Sequence, residues 1–194
     1  MKLLYCILII MFSGVFIIYR KVFLAKRVTI KKINFGKNVT IDKYSTIDGY
    51  ASEKLEFGDG FRLGAYSLIT CTSHMSKYGK GIKIGENSAV GQFSEFGAAG
   101  GIEIGNDVIM GSYVSFHSEN HNFSDTSRKI REQGATNKGI KLGNNIWVGA
   151  KVTFLDGCSI GSNSVVAAGA VVSGDFPKNS IIGGIPEKVI KTIS

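Results

Sequence analysis

Residues 142–172 read LGNNIWVGAKVTFLDGCSIGSNSVVAAGAVV, and the spacing within them decides the fold. An apolar residue recurs at every sixth position: Leu142, Val148, Phe154, Ile160, Val166 and Val172. A second, mostly small series follows four places behind each anchor: Ile146, Val152, Cys158, Ser164 and Ala170. An α-helix repeats every 3.6 residues and a strand every two, so neither alone explains a step of six. A fixed step of six predicts a solenoid in which each hexapeptide forms one flat side of a coil. Because six is even, anchors and followers share one face of an extended segment and point into a common core.

The same step extends toward the N-terminus in blocks. Phe35, Ile41 and Ile47 form one, and Phe57, Leu63 and Ile69 a second. Ile84, Val90 and Phe96 form a third, and Ile104, Met110 and Phe116 a fourth. Gly follows many of the anchors, as at Gly36, Gly64, Gly111 and Gly149, which suits tight corners and positive φ between sides. Residues 49–56 and 70–81 interrupt the register modestly, and residues 117–139 interrupt it most. That last, polar excursion contains His117, Glu119, His121 and the run IREQG at 130–134. Long loops on a rigid repeat are where function concentrates.

The net charge of +8 does not belong to the repeat. Eight Lys and Arg precede Asp42 with no acidic residue among them, leaving 15 basic against 15 acidic residues in the rest. A nucleic-acid partner is not indicated, because the repeat carries no basic excess. Cys6, Cys71 and Cys158 are widely spaced and indicate neither a disulfide framework nor a thiolate metal site. Residues 3–19, LLYCILIIMFSGVFIIY, carry no charge and would span about 26 Å as a helix. Arg20, Lys21, Lys26 and Arg27 follow at once. These features predict an N-terminal apolar helix that anchors the chain in the cell membrane, with the rest cytoplasmic. A cleaved signal peptide and a buried or interfacial helix are the alternatives. The expected organisation is therefore an anchor with a basic flank over residues 1–32 and one all-β domain over residues 33–194.

The elements WVGA (147–150), AAGAVV (167–172) and GGIPEKVIK (183–191), with VSFHSENHNF (114–123) before them, resemble the hexapeptide-repeat acyltransferases. They are most similar to the galactoside and maltose O-acetyltransferases and to those of polysaccharide assembly. The resemblance covers residues 33–191. It implies a left-handed parallel β-helix with an extruded loop, a homotrimer, acetyl-CoA as co-substrate and no metal. The family's catalytic histidine matches His121. Its coenzyme-binding positions match Ala150, Ala168, Ser173, Gly174, Lys188 and Lys191, and Gln92 and Glu119 fall where acceptor contacts are expected. Related enzymes often carry Arg where this chain has Lys188 and Lys191.

Chemistry gives a separate reason to want His121. Moving an acetyl group from a thioester to a sugar hydroxyl requires removal of the hydroxyl proton, and imidazole, with a pKa near 6.5, suits that task. His117, four residues earlier, is the competing base. The expected function is O-acetylation of a sugar in surface polysaccharide or lipopolysaccharide synthesis, with a sugar or lipid-linked glycan as acceptor. Three alternatives stand beside it: N-acetylation of an amino sugar, a zinc hydratase resembling γ-class carbonic anhydrases built on His74, His117 and His121, and a non-catalytic scaffold.

Overall fold

The structure is a computed structural model and describes residues 16–18, 22–24, 33–74 and 77–193. Its strands stack in parallel into three sheets of ten, seven and six strands, apart from antiparallel additions at the ends of the largest. The six-stranded sheet takes one strand from each coil, so the chain completes six coils. The first coil contributes Ile33–Phe35, Thr40–Ile41 and Thr46–Ile47 to the first, second and third faces in turn. The fifth contributes Ile140–Leu142, Ile146–Val148 and Thr153–Leu155 in the same order. These are the three sides of the parallel β-helix that the six-residue step predicts.

The anchors meet in register. On the third face Ile47, Ile69, Phe96, Phe116, Phe154 and Val172 lie one above another. Phe96, Phe116 and Phe154 are fully buried, with centroids 4.7 and 4.6 Å apart. That spacing is close to the distance between hydrogen-bonded strands, so the ring stack and the ladder reinforce each other. The followers Ile146, Val152, Cys158, Ser164 and Ala170 are buried as well. Burial pushes the thiols of Cys71 and Cys158 up to about 12. Both are small core residues.

The corners differ from the sequence expectation in an instructive way. The glycines that follow anchors are needed for space, while positive φ falls two places later. A Cβ on Gly111 would stand 2.6 Å from the Ala150 nitrogen, and one on Gly149 would stand 2.4 Å from the Ala168 nitrogen. Between the first and second faces, positive φ falls on Asn38, Asn87, Asp107, Asn145, Asn163 and Asn179. Between the second and third it falls on Tyr44, Tyr66, Phe93, Tyr113 and Lys151. Bulky residues rarely adopt that conformation. Here the four rings stack in a solvent-exposed ladder at 4.9, 5.0 and 5.1 Å, which offsets the backbone cost.

The expected N-terminal apolar helix is corrected. Phe16–Ile18 is a strand antiparallel to Val22–Leu24, which adds to the second face beside Thr40–Ile41. Among the described residues no helix is long and apolar enough to cross a membrane. The physical reason is that an apolar run of this length also suits strands that can extend an open sheet edge. The membrane partnership and the cell-membrane localisation rested on that helix and fall with it. Residues 1–15 and 19 of the expected anchor segment, and 20, 21 and 25–32 of its basic flank, lie outside the described residues.

Candidate active site

All the large interruptions leave the third face and return to the first, so one corner carries every excursion. Residues 118–139 form the largest, between the strands Ser115–His117 and Ile140–Leu142. Its base is held at both ends. At the start, buried Ser118 donates from its hydroxyl to the Gly97 carbonyl (2.7 Å) and accepts from the Gly100 N–H (2.9 Å). At the end, Asp156 Oδ1 accepts the N–H groups of Lys138 and Gly139, both at 2.8 Å. The other oxygen, Oδ2, is buried with no hydrogen-bond partner among the described residues.

Inside the excursion, Asn120–His121 pairs antiparallel with Ala135–Thr136, placing His121 opposite Ala135. This ladder exposes the His121 side chain at the head of the corner. With its amide oriented so that the nitrogen faces these acceptors, Asn137 donates to Glu119 Oε2 (3.1 Å) and to the Thr136 carbonyl (2.7 Å), which links Glu119 to the returning arm of the excursion. Farther out, Gln133 braces the tip. Its Nε2 donates to the Asp125 and Arg128 carbonyls (2.8 and 3.0 Å), and its Oε1 accepts the Asp125 N–H (3.0 Å). The Ser127 hydroxyl and N–H both donate to the Asp125 carboxylate and lower its pKa. His117 ends a strand of the third face, in register with Gly97 and Leu155. Both histidines therefore sit at one corner, with His117 on the rigid coil and His121 on the extruded ladder.

The opposite corner, between the second and third faces, gathers a separate group. Gln92, Ser112, Ala150 and Ala168 rise in a column on successive coils. The N–H groups of Tyr113, Lys151 and Gly169 donate to the carbonyls of Gln92, Ser112 and Ala150, at 2.9, 3.0 and 2.9 Å. Ala150 and Ala168 are exposed, and their methyl groups leave the backbone open to a ligand lying along the corner. Lys188 lies opposite Gly183 on the closing hairpin, and Lys191 opposite Ile181. A Cβ on Gly183 would touch Ala167, so Lys188 belongs to the neighbourhood of this column.

Ser173 and Gly174 lie elsewhere, across the third face on the excursion corner, and the structure does not bring them to the alanine column. The Ser173 N–H and hydroxyl donate to Glu187 Oε1, at 2.9 and 2.7 Å, which ties this turn to the closing hairpin. Burial alone would raise the Glu187 carboxyl, but these bonds hold it below 4.5. Sequence reasoning missed Asp156, Glu187 and Gln133. For Asp156 there was a usable signal, since an acid directly before Gly157 breaks the small and apolar pattern of the coil.

Among the described residues, no three His, Cys, Asp or Glu side chains stand close enough to hold a metal ion. The zinc-hydratase alternative requires three imidazoles in one site, whereas His117 ends a coil strand, His121 lies on the extruded ladder and His74 lies in the strand Thr72–His74 of a different excursion.

Comparisons with known proteins follow the same outline. Residues 139–174 match the family model described as bacterial transferase hexapeptide (six repeats). The chain is 30% identical over 145 residues to WbbJ of Escherichia coli K12, which bears the name of a lipopolysaccharide-biosynthesis O-acetyl transferase. The match covers 71% of each protein. The galactoside O-acetyltransferase of the same organism is 34% identical over 93 residues, and the chain spans 45% of it. The chain likewise spans only 44% of a Mycobacterium tuberculosis protein named as an acetyltransferase.

Among solved structures, a hexapeptide-repeat acetyltransferase of Vibrio cholerae in complex with acetyl coenzyme A superposes with a TM-score of 0.61. It is 25% identical, with 71% of this chain and 70% of that one covered. An N-acyltransferase of Bacillus cereus superposes at 0.69 with 21% identity over 82% and 84% of the two chains, a likeness of fold.

Proposed function

From its membership of the hexapeptide-repeat acetyltransferases, we propose that this chain transfers the acetyl group of acetyl-CoA to a hydroxyl of a sugar. The observation that carries the reading is the placement of two groups on one face. The excursion with His121 stands at one corner of the third face, and the Gln92–Ser112–Ala150–Ala168 column stands at the other. The name of the Escherichia coli relative supports an acceptor in lipopolysaccharide synthesis, and the Vibrio cholerae complex supports acetyl-CoA as the donor.

In this reading His121 accepts the proton of the acceptor hydroxyl as its oxygen attacks the thioester carbonyl. The tetrahedral intermediate collapses by breaking the carbon–sulfur bond, and the imidazolium returns its proton to the departing thiolate. Ala150 and Ala168 let the pantetheine arm approach the backbone. Lys188 and Lys191 offer positive charge to the nucleotide phosphates, each as a point charge and without the fork of an arginine. Ser173 and Gly174, held by Glu187, would shape the turn past which the nucleotide lies. Gln92 and Glu119 are proposed acceptor contacts, the first on the column and the second on the excursion. Assembly as a homotrimer belongs to the same proposal.

The test is incubation of purified protein with acetyl-CoA and a panel of nucleotide sugars and glycans, following release of free thiol. Acceptor-dependent release supports the reading. Equal release with and without every acceptor contradicts it. An amino sugar as the sole active acceptor would move the assignment to N-acetylation.

A further inference from the structure

We propose that the excursion corner contains an anion-binding trough that holds a phosphate or diphosphate group carried by the acceptor. The word "acceptor" rests on the acetyl-transfer reading, whereas the anion site rests on observations of its own. A cavity of ≈140 Å³ opens beside the base of the His121 excursion and spans the second to the fifth coil. Glycine backbone, at Gly81, Gly100, Gly101 and Gly139, forms much of its lining, and five lysines surround it against two glutamates.

The charges do not cancel locally. Glu53 pairs with Lys83 at 3.4 Å and Glu103 with Lys141 at 3.7 Å, which uses both acids. Lys54, Lys80 and Lys138 also line the cavity, and none of them pairs with a carboxylate among the described residues. Three lysines without a carboxylate partner among the described residues thus line one trough of a repeat region in which basic and acidic residues otherwise balance. Two of the three are seated on glycine. A Cβ on Gly101 would meet the Lys80 stem at 3.3 Å, and one on Gly157 would meet the Lys138 stem at 3.0 Å. Both glycines have positive φ, +95° and +89°, so an L-residue there would be strained and would also displace the lysine. Stems laid against backbone lose less freedom when their heads engage a ligand.

Size and charge select the ligand class. The cavity is open to solvent and has room for a phosphate or diphosphate group. A lone carboxylate would leave two of the three lysines uncompensated, whereas a phosphate monoester or a diphosphate brings about two negative charges or more to the trough at neutral pH. Lys138 and Gly139 close the excursion that carries His121, with Asp156 fixing their backbone. An anion bound there would hold its attached sugar at the root of the loop that bears the base.

The experiment is calorimetric titration of the full chain with inorganic pyrophosphate, with coenzyme A saturating so that Lys188 and Lys191 are occupied. One site per chain is expected. Lys80→Ala/Lys138→Ala should weaken it about tenfold or more, as loss of charge-assisted contacts implies. Lys80→Arg/Lys138→Arg should retain it, and Lys37→Ala/Lys43→Ala should leave it unchanged. Melting curves establish that each variant is folded. Absence of binding to the unaltered protein, or equal weakening by the Lys37/Lys43 pair, overturns the proposal. Tighter binding of a nucleoside-diphosphate sugar than of a sugar 1-phosphate would identify the activated sugar as the source of the anion, and the reverse order would identify the monophosphate. Pyrophosphate binding without any acetyl transfer sinks the proposed function alone, and transfer without pyrophosphate binding sinks the trough alone.

Discussion

At the scale of single residues, chemistry and packing make different demands. His121 is exposed on a two-residue ladder, where replacement costs little packing. His121→Ala should leave the melting temperature nearly unchanged and lower kcat by roughly 10²–10⁴-fold, as expected for loss of a general base. Asp156 is the opposite case. Asp156→Ala would leave two amides at the base of the loop without their acceptor, at about 1–3 kcal/mol each, and a denaturant titration should register the loss.

The buried thiols carry a pH signature. Folding raises Cys71 and Cys158 from 9.0 to about 12, so the unfolded chain ionises first as pH rises. Their contribution to stability is complete below about pH 9 and is lost between there and about 12. Stability followed through that interval should fall, and iodoacetamide should leave both residues unmodified in the folded protein at pH 8. That His121 lies on an excursion was legible in the sequence as a polar break in a regular repeat, whereas its proposed role comes from the family resemblance. Asp156 acts on backbone groups that the coil brings close, and only its place before Gly157 hinted at it, while Gln133 acts on backbone groups within the excursion tip that no spacing rule announces.

At the scale of elements, the six-residue step fixed the three faces, because each register pairs anchor with anchor. The aromatic stack concentrates much of that packing. Phe116 lies between Phe96 and Phe154, fully buried, and Phe116→Ala should cost about 3–5 kcal/mol, measurable by denaturant unfolding. The excursion depends instead on hydrogen bonds. Gln133→Ala removes three of them from the tip and should lower kcat/KM by up to about 10²-fold with little change in unfolding midpoint. The corners were only half legible. Asparagine at positive φ follows from its local hydrogen bonding, but at the other corner Tyr44, Tyr66, Phe93 and Tyr113 adopt that conformation as Lys151 does, and each ring stacks on the next about 5 Å along the axis. A strand-by-strand reading has no term for such a ladder.

At the scale of the whole molecule, the proposed function divides between two corners of the coil. The alanine column and the His121 excursion flank one face, and the basic trough lies beneath the excursion on its outer side. The N-terminal expectation failed at this scale, since an apolar run suits a strand at an open sheet edge as well as a helix, and Phe16–Ile18 of that run takes the edge beside Val22–Leu24. The closing hairpin is held partly by Glu187. Its carboxyl sits below 4.5 in the folded chain, so its contribution is present above that value and is lost as pH falls through the folded pKa. Glu187→Gln should therefore weaken coenzyme A binding at neutral pH and flatten the acid limb of that binding.

The central claim is that His121 serves as the general base when an acetyl group passes from acetyl-CoA to a sugar hydroxyl. Mass spectrometry of the acceptor after reaction with the unaltered protein and with His121→Ala tests it most directly. One added acetyl group on a hydroxyl with the first, and none with the second while it remains folded, is the predicted result. Equal acetylation by both proteins would contradict it.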